Sequence, residues 1–134
     1  MTYLIAYVTI LVVFGIMDAI WLSQMAAKLY RPMLGDMMVE NVRIIPALVF
    51  YLFFPVGLVV FAVIPALRDG SAWSALAAGA LLGALCYATY DLTNYATLKS
   101  WTLQVTVVDI IYGALVSGVC AAVAVVAVQA IEGR

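Results

Sequence analysis

Residues 73–95 read WSALAAGALLGALCYATYDLTNY. A membrane-spanning helix needs about 20 mostly apolar residues, and this run supplies them. From Ala75 to Leu85 it carries no charge. Small residues recur along it every four positions, at Ala75, Gly79 and Gly83, and the same stripe continues through Tyr87, Asp91 and Tyr95. At helical spacing these positions share one face. The segment therefore reads as a spanning helix with a narrow packing edge that ends in an acid.

The rest of the chain supports a lipid environment. Its 134 residues are 68% hydrophobic and only 10% charged, with a mean hydropathy of +1.18. Soluble domains are about half apolar and about a quarter charged, so a soluble helical protein is excluded. The net charge of −1 provides no basic field for nucleic acid. Histidine is absent, which removes the commonest transition-metal ligand. Cys86 and Cys120 show no CxxC spacing and read as small buried hydrophobes rather than a disulfide or metal pair. No metal or cofactor is expected.

Three further segments meet the length criterion, giving an all-α four-helix transmembrane bundle in one domain, with short loops. The spans are expected at 3–25, 44–67, 73–95 and 103–131. The first has no Lys or Arg before its apolar run and exceeds a signal-peptide core, so it reads as a retained helix. Between the first two spans, Lys28–Arg43 reads as the one sizeable loop, broken by Pro32 and Gly35, with a short interfacial turn over Asp36–Arg43. The last two loops are short, so neighbouring helices run antiparallel. Lys28, Arg31, Arg43 and Lys99 lie on one side, against Arg68 and Arg134 on the other. The excess of positive charge places loops one and three inside and both termini outside. Pro55 falls in the middle of the second span, where it removes a donor, frees the carbonyl of Tyr51 and predicts a kink.

Three aspartates lie inside these apolar spans: Asp18, Asp91 and Asp109. An aspartate at mid-span costs roughly 2.5–3.5 kcal/mol. At a rise of ~1.5 Å per residue, Asp91 lies ~7 Å, Asp109 ~9 Å and Asp18 ~12 Å from the same membrane face. Small-residue ridges run up to two of them. Gly79 and Gly83 precede Asp91, while Gly113, Ser117 and Ala121 follow Asp109, and such ridges let helix backbones approach closely. On the first span the ridge Gly15, Ala19, Ser23 is offset by one residue from Asp18. Asn94 and Tyr95 neighbour Asp91 on its helix, and Tyr112 neighbours Asp109. Lys99 has the reach to lean back toward the acids, and Trp101 reads as an interfacial anchor. Together Asp18, Tyr87, Asp91, Asn94, Tyr95, Lys99, Asp109 and Tyr112 outline a candidate polar cup open toward loops one and three. Helix glue near an interface is the bland alternative, and Asp109 also complements a helix N-terminus.

YDLTNYATLKSW (residues 90–101), followed by VTVVDIIYG (residues 105–113), resembles the DUF2177 family of small bacterial membrane proteins. DAIW at Asp18–Trp21, Pro46 and Tyr51 resemble its earlier motif positions. The likeness spans nearly the whole chain, and the DLTN-xAT element is its most specific part. Thr102 and Tyr112 depart from the family pattern, which often has proline and tryptophan there. The resemblance implies a four-helix integral protein, with a bacterial inner membrane as its setting. It implies no activity.

Three functions stay open on the sequence. The cup binds or conducts a proton, a cation or a small polar ligand; or the chain is a lipid- or isoprenoid-modifying enzyme using two acids as general acid and base; or it is an accessory subunit or assembly factor of a membrane complex. The expected partners are membrane lipids and a homodimer or larger complex, with Gly79/Gly83 or Gly113/Ser117 as a dimer contact.

Overall fold

A computed structural model describes residues 1–38 and 43–134. Among the described residues the chain is helical, with no strand. Four long helices, α1 (Thr2–Met37), α2 (Ile44–Asp69), α3 (Ala72–Thr97) and α4 (Leu103–Glu132), are each long and apolar enough to cross a membrane. Large apolar side chains cover the outside of the bundle: Ile16 is 56% exposed, Phe53 68% and Leu115 60%. Such a coat is unfavourable against water and ordinary against lipid tails.

The turns follow from local chemistry. Gly70, at φ 71°, ends α2 in the left-handed conformation that glycine adopts without strain. Ser71 then caps α3, its hydroxyl accepting from the Ser74 N–H at 3.4 Å. Thr102 caps α4 in the same way, accepting from the Val105 N–H at 3.1 Å.

The seam between α3 and α4 is the tightest part of the structure. A Cβ added to Gly79 would meet the Ser117 carbonyl oxygen at 2.8 Å, and one added to Gly118 would meet the Leu76 carbonyl oxygen at 2.8 Å. Gly83 lies against the Gly113 carbonyl and the Ser117 side chain, and the Tyr87 ring covers Gly113. The ridges predicted to pack do pack, but within one chain. Gly79, Gly83, Gly113 and Ser117 are buried between α3 and α4, so they are not available as the expected dimer contact.

On α1 the packing edge is Ala6, Ile10, Phe14 and Asp18, all buried. Gly15 and Ala19 face outward instead. The small-residue rule thus points to the wrong face of α1, because this interface is filled by side chains rather than by backbone contact. Phe14 sits at its centre, 5.5 Å from the ring centroids of both Tyr51 and Phe54 on α2.

Two irregularities interrupt the regular helices. In α2 a wide π-type turn occupies Val59–Val63, shortly after the buried Pro55. Near the proline, the Tyr7 hydroxyl donates to the Leu52 carbonyl at 2.8 Å. That contact is one residue beyond the Tyr51 carbonyl, which the sequence marks as freed. The larger correction concerns the first loop. Residues 28–37, predicted as loop, are helical: a π-type turn at Ala26–Tyr30, an α turn at Arg31–Leu34 and a 3₁₀ turn at Gly35–Met37 extend α1. Pro32 sits in the first turn of Arg31–Leu34, directly after the π-type turn at Ala26–Tyr30. Half of the turn predicted over Asp36–Arg43, residues 39–42, lies outside the described residues. The extension bends over the start of α4, where Leu29, Leu34 and Val105 form a second small apolar core.

Candidate functional site

The packing edge of α1 delivers Asp18 to the middle of the bundle, where only 8% of it is exposed. Two tyrosines from other helices reach it. The Tyr112 hydroxyl of α4 donates to Asp18 Oδ1 at 2.8 Å, and the Tyr51 hydroxyl of α2 donates to Oδ2. One carboxyl group therefore ties three helices together. Hydrogen bonds to an ionised acceptor are about twice as strong as neutral ones, so the two donors offset much of the cost of burying the acid.

One turn along α1, the Trp21 ring stacks on Tyr112 with centroids 4.1 Å apart and planes 12° from parallel. Its indole N–H donates to the Tyr30 hydroxyl oxygen at 3.0 Å, and Tyr30 in turn donates to Asp109 Oδ1 at 2.6 Å. The α1 extension thus contributes a side chain to the hydrogen-bond network at the cavity. Tyr30 falls in the predicted loop, and nothing in its sequence neighbourhood marks it as a partner of a residue 79 positions away.

Asp91 differs from the other two acids. It is fully buried, and neither carboxyl oxygen has a hydrogen-bond partner among the described residues. The glycine seam fixes what it faces. Gly79 opposes Ala121, Gly83 opposes Ser117 and Tyr87 opposes Gly113; the next step of four on each helix brings Asp91 to Asp109.

Asp18, Asp109, Tyr87 and Tyr112 line one cavity of about 500 Å³. Trp21, Tyr30, Tyr90 and Trp101 complete an aromatic wall, and Arg31 stands in the lining with Leu34 and Met38 of the α1 extension. Asp91 lies behind this wall, beside Asp109. Asn94, Tyr95 and Lys99, grouped with the acids on sequence spacing, are not in the lining. Tyr95 is 45% exposed, Lys99 is on the surface, and the one ion pair among the described residues joins Arg134 to Glu132 at the far end. Trp101 donates its N–H to Thr106 Oγ1 at 3.0 Å, and its ring lines the cavity. Cys120 is buried as expected, but Cys86 is exposed, and both are free thiols. Among the described residues no three His, Cys, Asp or Glu side chains converge to hold a metal ion.

Four helices long and apolar enough to cross a membrane define an integral, multi-pass membrane protein, with an acidic, aromatic-walled cavity lined from α1, α3 and α4. The chain matches the family described as "Predicted membrane protein (DUF2177)" over residues 3–126, nearly its whole length, and it belongs to that family. No curated protein and no solved structure matches it.

Proposed function

We propose that this protein binds an organic ammonium ion inside the membrane, in the cavity between Asp18 and Asp109. One observation carries the reading: two carboxylates from different helices line a single cavity with six tyrosine and tryptophan rings, and the one basic side chain in the lining, Arg31, is exposed and leaves the second carboxylate uncompensated. Carboxylates attract a cation, and ring faces solvate one that carries alkyl groups, at about 2 kcal/mol or more per ring when water is excluded. A metal ion is held best by several oxygen ligands and its own water, whereas an alkylated nitrogen uses both the carboxylates and the ring faces. The mouth faces the α1–α2 and α3–α4 connections. With Lys28, Arg31, Arg43 and Lys99 at that end, the reading places it on the inner side of a bacterial inner membrane, with both termini outside.

The test is titration of purified protein in nanodiscs with tetramethylammonium, followed by tryptophan fluorescence. Trp21 and Trp101 line the cavity, while Trp73 lies at the start of α3, at the opposite end. Asp109→Asn is expected to weaken binding about 30-fold, the equivalent of ~2 kcal/mol. No saturable signal from the wild-type protein, or equal affinity in the variant, rejects the reading.

A second reading, proton exchange, is favoured by Asp91 alone. A carboxyl group buried without a partner beside another acid is suited to passing one proton between the two. Proton flux into liposomes that is identical for wild type and Asp91→Asn counts against it.

A further inference from the structure

We infer that the ammonium site is loaded sideways from the bilayer, and that its ligand is a long-chain ammonium amphiphile whose chain lies in a groove between α2 and α3. The inference rests on the ammonium reading and extends it from a charge to a whole molecule. A second cavity of about 360 Å³ adjoins the first between α2 and α3, and Asp109, Tyr87 and Tyr90 line both. Its outer lining is Phe50 and Cys86, both exposed on the face that meets lipid. The same two residues begin a third, apolar groove of about 360 Å³ that continues past Phe53, Gly57 and Phe61. From Phe50 to Phe61 the groove follows α2 for about 16 Å at 1.5 Å per residue. The three spaces thus form one lane, with a carboxylate at its inner end and only apolar side chains along its outer length. A molecule matching the lane has a positive head and a single extended hydrocarbon tail. A small hydrophilic cation matches only the inner end and needs no groove.

Native Cys86 reports on this lane, and buried Cys120 is an internal control. The experiment measures alkylation of each thiol by N-ethylmaleimide with intact-mass readout, in nanodiscs. Three probes are compared: dodecyltrimethylammonium, tetramethylammonium and dodecanol. At roughly ten times its dissociation constant, dodecyltrimethylammonium is expected to slow Cys86 alkylation about tenfold. Tetramethylammonium and dodecanol are expected to change it less than about twofold, since each lacks half of what the lane recognises. A Cβ at Gly57 meets nothing within 4 Å. Gly57→Leu therefore fills the groove without disturbing the fold, and should abolish protection by the long-chain probe while leaving tetramethylammonium affinity unchanged. If tetramethylammonium binds but the long-chain ammonium does not protect Cys86, lateral loading is wrong and the ammonium site stands. Equal protection by dodecanol also overturns the inference, because the groove then takes any hydrocarbon. Failure of tetramethylammonium to bind at all removes the parent reading instead.

Discussion

Adding one methyl group at Gly79 tests the seam on which the site depends. Its Cβ would stand 2.8 Å from the Ser117 carbonyl oxygen, 2.9 Å from Ala121 Cβ and 3.1 Å from Gly118 Cα. Ordinary contact starts at 3.4 Å, so α3 must retreat by about 0.6 Å (3.4 − 2.8). The obstructing atoms are mainly backbone and cannot rotate away. Gaps of 0.5–1 Å forfeit roughly a quarter to a half of each dispersion contact, and overpacking of this kind costs about 1–3 kcal/mol. Against this, alanine gains up to ~1 kcal/mol over glycine in a helix interior. Gly15→Ala isolates that gain, because Gly15 faces outward with nothing within 4 Å of its Cβ. The expected result is a Gly79→Ala protein about 2 kcal/mol less stable than Gly15→Ala. The assay is loss of helical circular dichroism against increasing SDS in mixed micelles. A difference within about 0.5 kcal/mol would mean that α3 and α4 do not pack backbone to backbone, and the Asp91–Asp109 pairing would go with it.

Other outcomes follow from single contacts. Tyr112→Phe removes one donor from Asp18 and should cost about 1.5–3 kcal/mol in the same unfolding assay; Tyr51→Phe should cost a similar amount, and the double variant less than the sum, because both act on one carboxyl group. Asp91→Leu should unfold no more easily than wild type, since it replaces an unpartnered buried acid with an apolar side chain of similar size; a large loss of stability would show that Asp91 has a structural partner. Tyr30→Phe should weaken tetramethylammonium binding several-fold, by roughly 1 kcal/mol, because the α1 extension loses its bond to Asp109; unchanged affinity would separate the extension from the site.

The four spans were legible because about 20 consecutive apolar residues have few alternatives to a membrane helix. The meeting of α3 and α4 was legible too, since glycine and serine at every fourth position stand out against leucine and valine. The face of α1 was not. In a helix that is apolar all round, Ala6, Ile10 and Phe14 look like their lipid-facing neighbours, and hydropathy carries no direction. Tyr30 and Arg31 were hidden behind Pro32, which signals a break but here stands in a first turn. The shared depth of Asp18, Asp91 and Asp109 came from counting residues along helices. Their hydrogen-bond partners did not, because Tyr51 and Tyr112 lie 33 and 94 residues from Asp18. Asn94 and Tyr95 were grouped with the acids on spacing and Lys99 on reach; the curvature of the helix surface carries Tyr95 outward, and Lys99 lies exposed in the turn past the end of α3.

The glycine seam also decides which part of the bundle can give way. With backbone close against backbone at Gly79 and Gly118, and only Ser117 and the Tyr87 ring inserted further along, α3 and α4 have little room to rearrange and form a stiff spine. α2 is different: it is interrupted by a wide turn at Val59–Val63, carries Pro55 within its span, and borders both outer hollows. On the proposed loading route, the swing that admits a guest falls to α2, the interrupted helix beside the α3–α4 spine. A crosslink between α2 and α3 would arrest that swing, whereas one between α3 and α4 would leave it free.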